Sequence, residues 1–172
     1  LDRGIESYIN EQLDARPDGA LESRLAPLNS TLRLSTTQVL VAYADSGNLQ
    51  SSIQAYLDNM HTAKLIRSVH TTNQLEEVLA DFWFNHFNVN INDGFVRYSL
   101  QSYERDAIRP NALGKFETLL GATAAHPTML YYLDNYLSTA SRTVNGRLVQ
   151  GLNENYGREI LELHTVGVDA GY

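Results

Sequence analysis

Helical spacing of apolar residues is the sequence feature that most restricts the fold. Ile5, Ile9 and Leu13 recur four positions apart, and similar spacing continues along nearly the whole chain. Such a period places apolar side chains on one helix face. The sequence therefore predicts an all-α fold, an irregular multi-helix bundle of about eight or nine helices. Asn145-Gly146 favours one small β-hairpin near residues 143–148.

Capping residues and helix breakers set the expected helix limits. Asp18 and Asn153 are suitable N-caps, and Ser35 to Gln38 has the form of a capping box. Asn73 with Glu76 forms a plausible further capping pair. Pro110 should end one helix, Gly167 should follow the last one, and a turn is expected at residues 45–48. The predicted helices span residues 2–14, 18–25, 35–44, 49–69, 73–87, 96–109, 112–124, 128–138 and 153–166.

Composition narrows the class of protein. The 172 residues are 43% hydrophobic and carry 13 Lys or Arg against 20 Asp or Glu, a net charge of −7. We therefore expect a single helical domain over residues 1–172, no nucleic-acid partner and no transmembrane segment. The chain has no cysteine, which excludes disulfides, thiolate zinc sites and iron–sulfur clusters. It has no haem or nucleotide motif, whereas a divalent metal bound by His and carboxylate groups stays open.

The segment 75–87 is mostly apolar but has one polar stripe. Glu77, Asp81, Asn85 and Asn88 share this stripe, and His86 lies on the apolar arc. The ordinary interpretation is that these groups face solvent or cap a neighbouring helix. Alternatively, Asp81, Asn85 or His86 lines a pocket, because a buried carboxylate on such a helix needs a partner.

The last predicted helix carries a dense group of charges. Glu154, Arg158 and Glu162 are successive i,i+4 neighbours, so the arginine could bridge two carboxylates on a solvated face. Alternatively, Glu159 and Glu162 could chelate one cation or take part in acid–base chemistry, with His164 nearby.

A third charged cluster occupies residues 103–110. At α-helical spacing Asp106 pairs with Arg109, and Arg105 shares a face with Arg109. Structural pairing is the favoured interpretation. These arginines could also neutralise carboxylates of the last helix.

Four blocks of the sequence, in order and with matching gaps, resemble the bacterial DUF1800 family of unknown function. They are Asp81–Val89 (DFWFNHFNV), Tyr103–Pro110 (YERDAIRP) with the residues up to 122, Pro127–Asn135 (PTMLYYLDN) and Gly151–Asp169 (GLNENYGREILELHTVGVD). The resemblance is strong over residues 60–172, and residues 1–60 are similar only in helical style.

The resemblance also implies a cellular context. The family's domain continues past residue 172, so the chain resembles the N-terminal part of a larger domain. Family members are often exported, which implies a periplasmic or extracellular protein, although no signal peptide is recognisable in this chain. The resemblance implies no reaction.

Two functions stay open. The first is an exported structural or partner-binding module, whose partner is another protein or the C-terminal part of the same chain. Its buried polar network would use Asn85, Glu104, Arg105, Asp106, Arg109, Asp134, Asn135, Asn153, Glu154, Asn155 and Arg158. The second is a metal-assisted or acid–base enzyme, hydrolytic or redox, with a site between the 73–87 and 153–166 helices. Its candidate catalytic residues are Asp81, His86, Glu159, Glu162 and His164, of which the last three are also the candidate metal ligands.

Overall fold

The computed structural model describes residues 4–43, 49–149 and 151–171 and confirms the all-α class. The α-helices of the described residues are α1 (Ile5–Leu13), α2 (Gly19–Leu25), α3 (Asn29–Leu32), α4 (Thr36–Tyr43), α5 (Leu49–His70), α6 (Gln74–His86), α7 (Val96–Ser102), α8 (Phe116–Ala125), α9 (Pro127–Tyr132) and α10 (Asn155–Glu159). Short 3₁₀ turns lie at Ala26–Leu28, Asn135–Leu137 and Val168–Ala170.

Two helices change their winding in mid-course. After α7 the chain continues as a π-helical turn at Tyr103–Ile108 and then as a 3₁₀ turn at Arg109–Asn111. The second π-turn, Ile160–Thr165, continues α10 in the same way. A π-turn bonds each residue to the fifth one along, so it inserts one residue into the α-helical register. Segments of this kind often occur at functional sites.

The small hairpin pairs β1 (Arg142–Val144) with β2 (Arg147–Val149) in antiparallel register. Its turn is Asn145-Gly146, and both residues have positive φ, at 51° and 76°. Asparagine and glycine tolerate that conformation best, which explains why this dipeptide closes a two-residue turn.

The main core lies where α4 to α9 and the first π-turn converge. Its largest fully buried side chains include Tyr56, Phe87, Tyr103, Ile108 and Met129. A smaller cluster of Leu25, Leu32 and Ala63 packs α2 and α3 against α5. The core therefore holds the C-terminal end of α6 and the Tyr103–Ile108 turn next to each other.

Several predicted caps are present. Asp18 accepts a hydrogen bond from the Leu21 backbone N–H (2.9 Å). Asn153 accepts one from the Asn155 N–H (3.0 Å), but α10 begins one residue later than predicted, and Glu154 occupies its N-cap position without a side-chain bond. The capping box is reciprocal, because Ser35 N–H donates to Gln38 Oε1 (2.9 Å) and Gln38 N–H donates to Ser35 Oγ (3.3 Å). These contacts satisfy N–H groups that have no partner within the helix.

The prediction for Asn73 and some helix limits were wrong. Asn73 makes no capping bond, because its side chain binds both the N–H and the carbonyl of Arg16. Pro110 does not end its helix at once, because it occupies the first turn of the 3₁₀ segment, where a missing N–H costs nothing. The next two helices are shorter than predicted, being limited to Phe116–Ala125 and Pro127–Tyr132. Ala44 and the turn expected at residues 45–48 lie outside the described residues.

Within the described ranges, no helix is both long enough and apolar enough to cross a membrane.

Candidate functional site

A buried ionic network joins α6 to the first π-turn. The Arg109 guanidinium donates two hydrogen bonds to the Glu77 carboxylate (2.7 Å each) and one from Nε to Glu104 (2.7 Å). The exposed fractions of these side chains are only 17% for Arg109, 9% for Glu77 and 15% for Glu104. Burial alone would lower the Arg109 pKa, but the hydrogen bonds and charges of the two carboxylates more than reverse this and raise it. The guanidinium is therefore permanently charged and held by both partners.

The pairing inside the first π-turn differs from the predicted one. Asp106 does not bind Arg109, because it forms a two-bond contact with its neighbour Arg105 (2.7 Å each). Arg109 instead binds Glu104, five residues earlier. A π-turn places residues i and i+5 on one face, whereas the prediction assumed the i,i+3 face of an α-helix.

Arg105 connects the same turn to the end of α3 and to the segment that joins α3 to α4. Its Nη1 donates to the carbonyls of Leu32 (2.9 Å) and Leu34 (3.0 Å). Neither Arg105 nor Arg109 is paired with a carboxylate of the last helix among the described residues. Arg105 therefore anchors one side of the turn while Arg109 anchors the other.

The polar stripe of α6 is split between two surroundings. Glu77 is buried in the Arg109 network, whereas Asp81 is half exposed and forms an ion pair with Lys64 of α5. Asn85 is exposed and donates to the Asp81 backbone carbonyl (2.8 Å). Val78 and Phe82, two of the apolar residues of this segment, are 61% and 55% exposed. The helix therefore has an open face that combines apolar and polar side chains.

The two candidate histidines meet, as the enzyme hypothesis requires. His86 Nε2 donates to the backbone carbonyl of His164 (3.0 Å), and the ring centroids are 6.5 Å apart. His164 is buried against Phe87, with ring centroids 5.2 Å apart. Burial and the neighbouring His86 lower the His164 pKa below its ordinary 6.5. His164 is therefore held in its neutral form.

The carboxylates of the last helix pair within that helix and share no cation with those of α6 among the described residues. Arg158 binds Glu159 (3.1 Å), Glu162 (3.2 Å) and the side chain of Asn155 (3.0 Å), all within its own helix. Glu154 is exposed and takes no part in this pairing, so the arginine bridges a different pair of carboxylates from the one predicted. Leu161 and Leu163, on either side of Glu162 in the sequence, are 37% and 59% exposed.

No group of three His, Asp or Glu side chains placed to hold a metal ion occurs in the described ranges. Glu159 and Glu162 share Arg158, and His164 faces the aromatic side of α6. Of the other candidates, Asp134 has a left-handed backbone (φ 62°), and Asn135 begins the 3₁₀ turn that follows it. They lie outside the contacts described above.

A polar cleft of about 450 Å³ lies beside the buried network and was not predicted from the sequence. It is bounded by the α1–α2 connection, α2, the end of α5 and the start of α6. Seven charged side chains line it, namely Arg16, Asp18, Glu22, Arg67, Glu76, Glu77 and Arg109. No sequence pattern predicts this cleft, because its lining residues belong to no shared motif and come together only in the fold.

The protein family described as "Protein of unknown function (DUF1800)" matches the whole chain, residues 1–172. The chain belongs to the DUF1800 family. No curated protein and no solved structure matches it.

The blocks that carry the DUF1800 resemblance coincide with the unusual backbone of the structure. Both π-turns, Tyr103–Ile108 and Ile160–Thr165, fall inside such blocks. The block Asp81–Val89 covers the end of α6, where His86 meets His164. In this DUF1800 chain the resemblance therefore covers the elements that hold Glu104, Arg109 and His164, whereas most of the polar cleft lies in the N-terminal third and α6.

Proposed function

We propose that this chain is a helical module that binds a protein partner, with the Arg109 network fixing the helices behind the binding surface. The observation that carries the proposal is the set of exposed apolar side chains along α1 and α6. Tyr8 and Ile9 are 52% and 48% exposed, beside Val78 and Phe82 of α6. A groove of about 280 Å³ between the two helices is lined by Tyr8, Ile9, Gln12, Gln74, Leu75 and Val78.

The charged candidates support binding over chemistry. Each of these carboxylates already forms an ion pair. Asp81 pairs with Lys64, and Arg109 pairs with both Glu77 and Glu104. Arg158 pairs with both Glu159 and Glu162. A carboxylate committed to a cation is a poor general base or ligand until that pair is broken. The apolar groove has no comparable partner among the described residues, and exposed apolar surface of this kind typically marks an interaction site.

We infer that the occupant is an amphipathic helix of a separate protein. Tyr8, Ile9 and Val78 line the groove, and exposed Phe82 lies one helical turn beyond Val78 on α6. Apolar positions of this kind suit a partner helix that inserts residues at i, i+3 and i+4. The backbone of the groove is held by Gln12, which donates to the Thr72 carbonyl (2.9 Å) and accepts from the Leu75 N–H (3.0 Å). A pre-formed groove lowers the entropic cost of docking.

A photo-crosslinking amino acid at Phe82 in the full chain, expressed in its native host, tests this function. We expect an adduct with one other polypeptide at Phe82 and none at the exposed control position Glu117. That polypeptide, once purified, should bind the wild-type chain and lose at least about tenfold in affinity for the Val78→Glu/Phe82→Glu variant. An adduct confined to the same polypeptide, or equal adducts at both positions, would contradict the proposal.

Export to the periplasm or the medium is a further part of the proposal and is supported by the family resemblance alone. Fractionation of cells that express the full chain at its natural level tests it. Recovery of the protein in the cytoplasmic fraction would contradict it.

Contact between His86 and His164 favours acid–base or metal-assisted chemistry as the second candidate function. The π-turn carries His164 onto the C-terminal end of α6, so two imidazoles from distant parts of the chain share one location. Metal analysis of the full-length protein tests the metal version of this candidate. If the metal version is right, the wild-type protein contains a stoichiometric divalent metal that is lost in His86→Gln and in His164→Gln. Metal content that neither substitution changes would contradict the metal version.

A further inference from the structure

Two oppositely charged side chains in the polar cleft have no partner among the described residues. Arg67 lies in the last turn of α5 and Glu76 in the first turn of α6. Both are partly buried and both line the cleft. No hydrogen bond or ion pair joins either one to a described residue, and none joins them to each other. The charges of Glu104, Glu77 and Glu22 act on Arg67, but none of them forms a direct hydrogen bond or ion pair with it, so its guanidinium is available to a ligand in the cleft.

The other charges around the cleft are already engaged. Arg109 is bound by Glu77 and Glu104, and Arg16 by Asp14 (2.7 Å). Asp18 accepts hydrogen bonds from the Leu21 N–H and from both the N–H and hydroxyl of Thr72. Glu22 lies 4.0 Å from Arg33. Only Arg67 and Glu76 among these lining charges are therefore left to meet a ligand.

The surroundings of Arg67 favour an incoming carboxylate. Burial, followed by repulsion from Arg109, lowers its pKa below that of a free guanidinium, and the charges of Glu104, Glu77 and Glu22 offset only part of this. A carboxylate in contact would offset both effects, because it supplies opposite charge and hydrogen-bond acceptors in the planar geometry that arginine prefers.

A simple anion is a poorer match than a ligand with both charges. The lining contains three arginines, Arg16, Arg67 and Arg109, against four carboxylates, Asp18, Glu22, Glu76 and Glu77. An anion bound at Arg67 alone would add to this negative excess and leave Glu76 without a partner. A ligand that also carries an ammonium group can form an ion pair with Glu76, and its binding adds no net charge to the cleft.

The rim of the cleft is built before any ligand arrives. Asn73 binds the Arg16 backbone through its amide (Nδ2–O 2.8 Å) and accepts from the Arg16 N–H (3.4 Å). Asp18 holds Thr72 at 2.8 Å and 2.9 Å. These contacts lock the α1–α2 connection to the α5–α6 connection, so the two walls keep a fixed separation. Fixed walls let a small ligand bind without ordering the loops.

We propose that the cleft binds a small zwitterion, an α-amino acid or a short peptide, whose carboxylate is held by Arg67 and whose ammonium group is held by Glu76. The volume of about 450 Å³ exceeds what the charged groups of such a ligand need. Ala15, Pro17 and Leu21 supply an apolar wall for its side chain. The proposal does not rest on the partner-binding function, because no residue of the α1–α6 groove lines this cleft.

Calorimetric titration of the full chain with a defined panel tests this site. The panel contains L-alanine, L-leucine, L-glutamate, the dipeptide Ala-Ala, N-acetyl-alanine, alanine amide and acetate. We expect saturable binding of at least one free amino acid or of Ala-Ala. N-acetyl-alanine and alanine amide, which each lack one charge, should bind at least about tenfold more weakly than the zwitterion. If Ala-Ala binds more tightly than the amino acids, the ligand is a peptide. If an amino acid binds more tightly than Ala-Ala, the ligand is a free amino acid.

Two matched pairs of variants connect the binding to the cleft. Arg67→Gln and Glu76→Gln should each weaken the zwitterion at least about tenfold, whereas Arg24→Gln and Glu117→Gln, at exposed positions, should leave it unchanged. Neither cleft variant removes a hydrogen bond or an ion pair to a described residue, and thermal unfolding of each should match the wild type. The proposal is overturned if no panel member binds, if acetate binds as tightly as the zwitterions, or if both cleft variants keep full affinity.

Discussion

At the scale of single residues, Tyr56 and Tyr103 are both fully buried, but only one hydroxyl has a partner. Tyr103 Oη donates to the Phe87 carbonyl (2.9 Å). Tyr56 Oη forms no hydrogen bond of good geometry in the described part of the chain. The backbone of Gln101 lies near enough to lower the Tyr56 pKa slightly, against the larger effect of burial. Burial raises the pKa of both phenols, so both remain protonated.

The two tyrosines therefore should respond differently to loss of the hydroxyl. We expect Tyr103→Phe to lower the free energy of unfolding by about 1 kcal/mol, because it leaves the Phe87 carbonyl unpaired. Tyr56→Phe should be neutral or stabilising, because it removes a buried hydroxyl that makes no hydrogen bond of good geometry. Urea unfolding of both variants measures the difference. Equal destabilisation would mean that Tyr56 has a partner in solution.

The carboxylates of α6 offer a second comparison at this scale. Glu77→Gln should lower the free energy of unfolding by about 3 kcal/mol, because it breaks one contact of the buried Arg109 network. Asp81→Asn should cost less than about 1 kcal/mol, because Asp81 pairs with Lys64 at the surface. Thermal or urea unfolding of the two variants checks this order. If Asp81→Asn cost as much as Glu77→Gln, the pairing in solution would differ from that described here.

The sequence distinguished these residues only in part. The helical period correctly placed Glu77 and Asp81 on one polar stripe. It could not show which of them is buried, because that depends on Arg109, which is 32 residues further along the chain.

At the scale of elements, the capping box at the start of α4 is short-range enough to be recognised from the sequence. Ser35 and Gln38 exchange hydrogen bonds, and each satisfies a backbone N–H that the helix leaves unpaired. We expect Ser35→Ala to cost about 1 kcal/mol of stability. Thr37→Ala, at an exposed position of the same turn, should cost nothing or stabilise slightly, because alanine has the higher helix propensity. A larger loss for Thr37→Ala than for Ser35→Ala on denaturant unfolding would contradict the cap.

The π-turns mark the limit of prediction at this scale. Periodicity arguments assume 3.6 residues per turn, and a single extra residue changes which side chains share a face. This is why Glu104, rather than Asp106, meets Arg109, and why Leu161 and Leu163 are exposed beside a buried His164. Asn73 failed as a cap for a related reason, since it binds a loop 57 residues away.

At the scale of the whole molecule, the fold class and the family could be predicted from short local stretches of the sequence. The candidate sites could not be predicted in this way, because they combine residues that are far apart in the chain. The cleft combines Arg16, Arg67 and Glu76 from separate elements. Each has an ordinary sequence context, so only the packing of α2, α5 and α6 reveals their proximity. The sequence led to a proposed site between the helices that carry His86 and His164, but it did not predict the contact between the two residues.

Buried histidines connect the packing of the whole molecule to pH. The pKa of His164 is lowered by burial and by His86, and the pKa of His126 is lowered by burial and by Arg105, against an opposing effect of Asp106. In the unfolded chain both would titrate near the ordinary value of 6.5. As the pH falls below that value, these two histidines become protonated in the unfolded chain but stay largely neutral in the folded chain. Stability is therefore complete above about pH 6.5 and is lost as the pH falls toward the lowered folded-state values.

We expect the free energy of unfolding to decline between pH 7 and pH 5, and His164→Gln to make that decline shallower by up to about 1.4 kcal/mol per pH unit, the limit for one proton. His61→Gln, at an exposed position of α5, serves as the control and should keep the wild-type slope. Denaturant unfolding at intervals across this range measures all three slopes. The slope, rather than the stability at one pH, is decisive, because the substitution also removes packing against Phe87 at every pH. If His164→Gln kept the wild-type slope, His164 would be protonated in the folded chain, and the close contact between the two imidazoles would have to open on acidification.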